Sequence, residues 1–165
     1  MREEEKFIKR DRMRYTKNSL SSSLALAAIF FDVLFFVSIY KTDIGQYYYK
    51  ALIGISIIYN LLFMLCVFLC SEGVKNYKKG YSFVLLAVGA LQIARMFVIP
   101  TKAHAATVLL GEAETAVMSD AQFARVIIYL SLSAVFCISS GVIGLIKSRS
   151  LSEHIRSLGG QKAQG

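Results

Sequence analysis

The chain has 165 residues, of which 55% are hydrophobic, with a mean hydropathy of +0.51, a single proline and a formal net charge of +8. The apolar residues are gathered into long runs, which excludes a disordered tail protein, a disulfide-stapled secreted scaffold and a large multi-domain enzyme. The composition predicts an all-α integral membrane protein, a bundle of four transmembrane helices.

Residues 1–19 read as a basic arm carrying Arg2, Lys6, Lys9, Arg10, Arg12, Arg14 and Lys17 beside Glu3, Glu4, Glu5 and Asp11. Its Glu and Lys residues at helical spacing, with Phe7, Ile8, Met13 and Tyr15, would suit an amphipathic helix on the membrane surface. The simpler reading, preferred here, is a solvated arm whose charges fix topology. The arm leads directly into a full-length span, which argues against a cleavable signal peptide.

A spanning helix needs about 20 mostly apolar residues to cross a ~30 Å hydrocarbon layer. Four segments within a 20–147 domain meet that requirement, at about 20–40, 48–70, 81–100 and 125–147. The link between the second and third adds Lys75, Lys78 and Lys79, and the tail, 148–165, follows Lys147 with Arg149, Arg156 and Lys162. The other two links hold only Lys41, Lys50, Lys102 and Arg125. The positive-inside rule then places both termini in the cytoplasm. Tyr40, Tyr47, Tyr48 and Tyr49 are expected at the outer interface, Tyr77 and Tyr81 at the inner one. Topology accounts for most of the positive charge, and the remainder favours an anionic inner leaflet. No nucleic-acid partner is expected.

The loop 101–124 is the one long connection. Ala106, Leu110, Ala113, Val117 and Ala121 recur at helical spacing, which predicts a short outer helix or lid, although a spacer would read the same way. Ser119 and Gln122 resemble a capping box for the fourth helix. The tail is expected to fray beyond Leu158.

Ionisable residues inside a bilayer are costly and mark sites by default. There are two, Asp32 and Arg95, both in the outer half, where an ion pair between the first and third helices is geometrically possible. Asn60 in the second helix, one turn from Ser56, and Gln92 in the third extend the polar set. It could line a path for a solute or proton. Alternatively Asp32 pairs with Arg95, or Arg95 snorkels outward, while the amides hold the bundle together. A third reading pairs the charges with another protein. Ser133, Ser140, Gly141 and Gly144 in the fourth helix are helix-packing candidates, since small residues let backbones approach closely.

Four helices with one acid in the first resemble the plan of small multidrug transporters, in helix count and Asp32 alone. Those proteins are shorter, have tight links and normally use Glu, whereas this chain has a long outer link and Arg95. No residue role carries over.

Cys66, Cys70 and Cys137 form no C-x-x-C pair, and His104 and His154 stand apart, so neither thiol chemistry, a metal site nor a cofactor is expected. No nucleotide-binding, zinc-hydrolase or serine-hydrolase motif is present. The chain is therefore expected to be non-catalytic: an accessory or structural subunit of a membrane complex, plausibly for transport, in the bacterial cytoplasmic membrane. Its expected partners are the lipid bilayer and either other membrane subunits or further copies of itself. The alternative is a self-assembling channel or small-solute transporter that uses the Asp32/Arg95 region.

Overall fold

The computed structural model describes residues 17–39, 47–105, 107–110, 113–116 and 118–162. Its elements are α1 (Ser19–Ile39), α2 (Tyr47–Lys75), α3 (Lys79–His104), β1 (Thr107–Leu110), β2 (Ala113–Ala116) and α4 (Asp120–Lys162). All four helices are long and apolar enough to cross a membrane, and the chain is a multi-pass membrane protein. The basic arm at 1–16 and Tyr40 lie outside the described residues, as do the side chains of Tyr47, Tyr48 and Tyr49.

The helices form an up-down-up-down ring in which α4 packs most extensively against α3 and α1, while α2 and α4 face each other across a diagonal. One end is tied where the Asn18 N–H donates to the Lys75 carbonyl at 2.9 Å and the Ser148 hydroxyl donates to the Tyr77 carbonyl at 2.8 Å. The other is tied where the Gln122 side chain donates to the Ser38 carbonyl at 2.9 Å and His104 meets Asp120 at 2.9 Å. The start of α1, the α2–α3 turn and Ser148 therefore share one end of the bundle.

Inside and outside are inverted relative to a water-soluble bundle. Phe30, Leu62 and Phe97 are 59%, 61% and 70% exposed, while Ser21, Ala25, Ala28 and Asp32 face inward. Lipid is as apolar as leucine, so exposed Leu, Ile and Phe cost nothing there, and small interior residues let backbones close in. Gly144 shows the consequence. A Cβ there would stand 2.5 Å from Ser82 Oγ and 3.2 Å from Ser21 Oγ, and one at Gly141 would meet the Ser82 carbonyl at 2.9 Å. Beside them, the Ser21 and Ser140 hydroxyls each donate to the other residue's backbone carbonyl. Ser140, Gly141 and Gly144 thus lie at these close helix contacts.

The elements depart from expectation at their ends. α2 continues to Lys75 and α3 starts at Lys79, so only a tight turn joins them, with Tyr77 at φ 58° in the left-handed region. α3 passes through Pro100 to His104, because proline removes one N–H but the hydrogen bonds before and after it remain available. Among its described residues, the 101–124 link is neither a separate helix nor a long loop. Its first turn belongs to α3 and its last to α4, and β1 pairs antiparallel with β2, Leu110 opposite Ala113. Four-residue strands are too short for their alternation to compete with the apparent helical period. Gly111–Glu112 between them is a two-residue hairpin signal of the Gly-X kind. The expected cap is present, since the Gln122 N–H donates to Ser119 Oγ at 3.3 Å. α4 does not stop at 147 or fray at 158 but runs as one helix to Lys162.

Replacing Gly144 by Val should overpack the α1–α3–α4 contact and cost about 1–3 kcal/mol. The measurement is reversible unfolding in mixed micelles. A variant as stable as the parent would contradict the close approach.

Candidate functional site

The site lies where α1, α2, α3 and α4 all send polar side chains to the bundle axis. Asp32 projects from α1, Ser56 and Asn60 from α2, Gln92 and Arg95 from α3 and Ser133 from α4. Each sits on the inward stripe of its helix, which is why Ser56 and Asn60, four residues apart, and Gln92 and Arg95, three apart, act together. Asp32, Asn60, Gln92 and Ser133 are fully buried, and Arg95 is only 6% exposed.

Asp32 and Arg95 approach each other but do not form a simple pair. Arg95 Nη1 stands 3.6 Å from Asp32 Oδ1. Gln92 Nε2 donates to the same carboxylate oxygen at 2.8 Å and lies 3.4 Å from Ser133 Oγ. The guanidinium donates through Nη1 to the Asn60 side-chain oxygen and through Nη2 to Ser56 Oγ at 2.9 Å. The Ser133 hydroxyl in turn donates to the Ala28 carbonyl at 2.9 Å. The network thus crosses the α1–α3 diagonal, joining helices whose backbones otherwise hardly touch.

Two aromatic rings complete it. The Arg95 guanidinium carbon lies 4.5 Å from the Phe35 ring centroid and 4.6 Å from that of Tyr59. A desolvated cation over a ring face gains roughly 2 kcal/mol. Two rings, a carboxylate and two neutral acceptors offset a burial that would otherwise cost several kcal/mol.

Apolar clusters lie on either side of the polar layer. Toward the Ser148 end lie Ala25, Ala28, Phe63, Val67, Leu85 and Cys137. Toward the hairpin end lie Phe35, Ile39, Met118, Val126 and Leu130. Within the layer, Asp32 Oδ2, Asn60 Nδ2 and Gln92 Oε1 have no hydrogen-bond partner among the described residues.

All four expected site residues, Asp32, Asn60, Gln92 and Arg95, meet in this one network. Ser133 belongs to it as well, a packing residue that also makes polar contacts. Arg95 does not snorkel, because its charge is met inside the bundle, and the two charges are not turned outward toward a partner. Phe35 and Tyr59 were not anticipated. Their signal was helical spacing, Phe35 three residues after Asp32 and Tyr59 just before Asn60, but aromatics in an apolar run carry no mark of a cation. Asn18 was missed too; its carboxamide oxygen accepts from the Ser21 N–H at 3.4 Å, capping α1.

Outside this layer, His104 meets Asp120 and lies against Phe123 at the hairpin end, with the rings tilted by 55° and 4.4 Å between their centroids. Among the described residues, no three of His, Cys, Asp and Glu are grouped so as to hold a metal ion. No protein-family model, curated protein or solved structure matches the chain.

Removing one charge strands the other. Arg95→Gln alone should cost about 3–5 kcal/mol of stability, since it breaks a buried pair from one side. Combined with Asp32→Asn, the loss should fall short of the summed single losses by about 1–3 kcal/mol. Additive losses in reversible unfolding would show that the two charges do not share a network.

Proposed function

We propose that the chain is a non-catalytic structural or accessory subunit of a membrane complex, one that serves transport, and that the Asp32–Gln92–Arg95–Asn60 network is the lock that gives the bundle its shape. The observation that carries this reading is the bonding of the polar layer across all four helices, with an apolar cluster on either side of it. A buried layer whose charges and amides bond to one another across the helices suits holding them together better than passing a solute.

The polar stripes do not offer spare interface, since they are used inside the chain. The surface available to another subunit is apolar and most extensive on α2, along Ile55, Ile58, Leu62, Leu65 and Leu69. Packing there would rest on shape and van der Waals contact rather than buried charge.

The alternative, a small-solute transporter or channel, is favoured by one observation. Asp32 Oδ2, Gln92 Oε1 and Asn60 Nδ2 retain unused hydrogen-bonding capacity. Unsatisfied buried polar atoms in a native fold call for a water, an ion or a function.

For orientation, the end shared by Lys17, Lys75, Lys78, Lys79, Lys147 and Arg149 is the cytoplasmic one on the positive-inside rule, and the membrane is proposed to be the bacterial cytoplasmic membrane. A reporter fused after Gly165 should register as cytoplasmic, and an outer signal would reverse the assignment.

The functional test is to extract the chain gently from its own membrane and compare it with Asp32→Asn/Arg95→Gln. A subunit should migrate in a fixed ratio with other polypeptides and remain in that assembly when both charges are neutralised. A homo-oligomer that moves solute across vesicles, and stops when Asp32→Asn is introduced without loss of fold, would replace this reading with the transporter one.

A further inference from the structure

Asp32 Oδ2, Gln92 Oε1 and Asn60 Nδ2 belong to fully buried side chains on α1, α3 and α2, and the described residues give none of them a hydrogen bond. The rest of the network forces this. Gln92 spends both of its N–H groups, one on Asp32 Oδ1 at 2.8 Å and one toward Ser133 Oγ at 3.4 Å. The Asn60 side-chain oxygen is taken by the Arg95 guanidinium. Turning either amide over would set Gln92 Oε1 against the carboxylate, or the Asn60 N–H groups against the guanidinium. Each amide is therefore fixed by a charged neighbour, with its other end unbonded.

The three groups are neighbours. Gln92 is bonded to Asp32, and Arg95 Nη1 connects Asn60 to Asp32 Oδ1, from which it stands 3.6 Å away. Yet Asn60 Nδ2, a donor, is bonded to neither Oδ2 nor Oε1. One donor and two acceptors left unbonded within a single buried cluster are the usual setting of a bridging water. The polarity of the set selects among ligands. A metal ion would suit the two oxygens but meet the Asn60 N–H groups and the positive charge of Arg95. An anion such as chloride would suit Asn60 and Arg95 but be repelled by Asp32 Oδ2 and Gln92 Oε1. A neutral molecule that donates two hydrogen bonds and accepts one meets all three, and the smallest of these is water.

We propose that the polar layer is a binding site for one water molecule, which donates to Asp32 Oδ2 and Gln92 Oε1 and accepts from Asn60 Nδ2. The water then joins α1, α2 and α3, the same three helices that Arg95 joins. This inference rests on reading the network as a lock and adds a component to it. It also accounts for the one observation that favours a conduit, because the spare hydrogen-bonding capacity is spent on a held water. A held water differs from a wetted path in exchanging slowly with bulk solvent.

The test is nuclear magnetic resonance of the full chain in lipid nanodiscs, with asparagine, glutamine and arginine side chains isotopically labelled. Through-space cross-peaks from water to the amide protons of both Asn60 and Gln92 are expected, in a sample whose Arg95 guanidinium protons exchange slowly. Slow guanidinium exchange with no water contact at one or both amides would overturn the water and leave the lock standing. Fast guanidinium exchange with bulk water would break the lock, and the held water with it. Replacing sodium by lithium, or chloride by bromide, should leave both amide signals unmoved. A shift would put an ion in the site and overturn the proposal. In Asn60→Leu, where Ser56 and Asp32 remain for the guanidinium, the cross-peak between Gln92 and water should be lost. An undiminished cross-peak there would show that Asn60 does not hold the water and would overturn the three-point site. The parent chain's cross-peaks decide the proposal even if that variant fails to fold.

Discussion

A guanidinium buried in hydrocarbon must find its counter-charge within the protein, and most of this bundle's interior answers that one demand. Arg95 sits on α3, but Asp32 is on α1, across the diagonal, and the amide and hydroxyl acceptors are on α2. No two-helix subset can satisfy the cation. All of α1, α2 and α3 must be present and in register, and Ser133 of α4 closes the set through Gln92. The network therefore specifies the arrangement of helices whose apolar surfaces would accept many alternatives. Whether polar burial also adds net stability is a separate matter, since desolvation consumes much of the gain.

Around this layer the fold follows membrane rules. Serine and glycine at the Ser148 end allow the α1–α4 and α3–α4 backbones to approach, with hydroxyls capping opposing carbonyls. Large apolar side chains are turned to lipid, where they neither help nor hinder helix association. Arg95 is almost fully buried between two apolar clusters, and that low-dielectric setting strengthens its charge contacts. That combination is the physical basis for proposing a structural component over a conduit.

The sequence made the rare features plain and left the common ones hidden. Asp32 and Arg95 stand out because charge inside an apolar run is expensive, and their helices and directions placed them at comparable depth. Asn60 and Gln92 stood out as amides in otherwise apolar runs. The division of partners was not legible: Gln92 rather than Arg95 makes the 2.8 Å bond to Asp32, since that depends on helix rotation and rotamer. Phe35 and Tyr59 look like any lipid-facing aromatic until the guanidinium is placed between them. The hairpin was misread because Leu110 and Ala113, three residues apart, fit a helical period by coincidence across strands of only four residues. The length of α4 was cut short because Lys147 and Arg149 mark where hydrocarbon ends, which need not be where a helix ends.

The most direct check on the central claim is nuclear magnetic resonance of the Arg95 side chain in lipid nanodiscs, with arginine isotopically labelled. The account predicts slowly exchanging guanidinium protons, shifted by the flanking rings and showing through-space contacts to Phe35 and Tyr59. Sharp guanidinium signals in fast exchange with water, with no contact to either ring, would mean that Arg95 is not enclosed and that the bundle is held together in some other way.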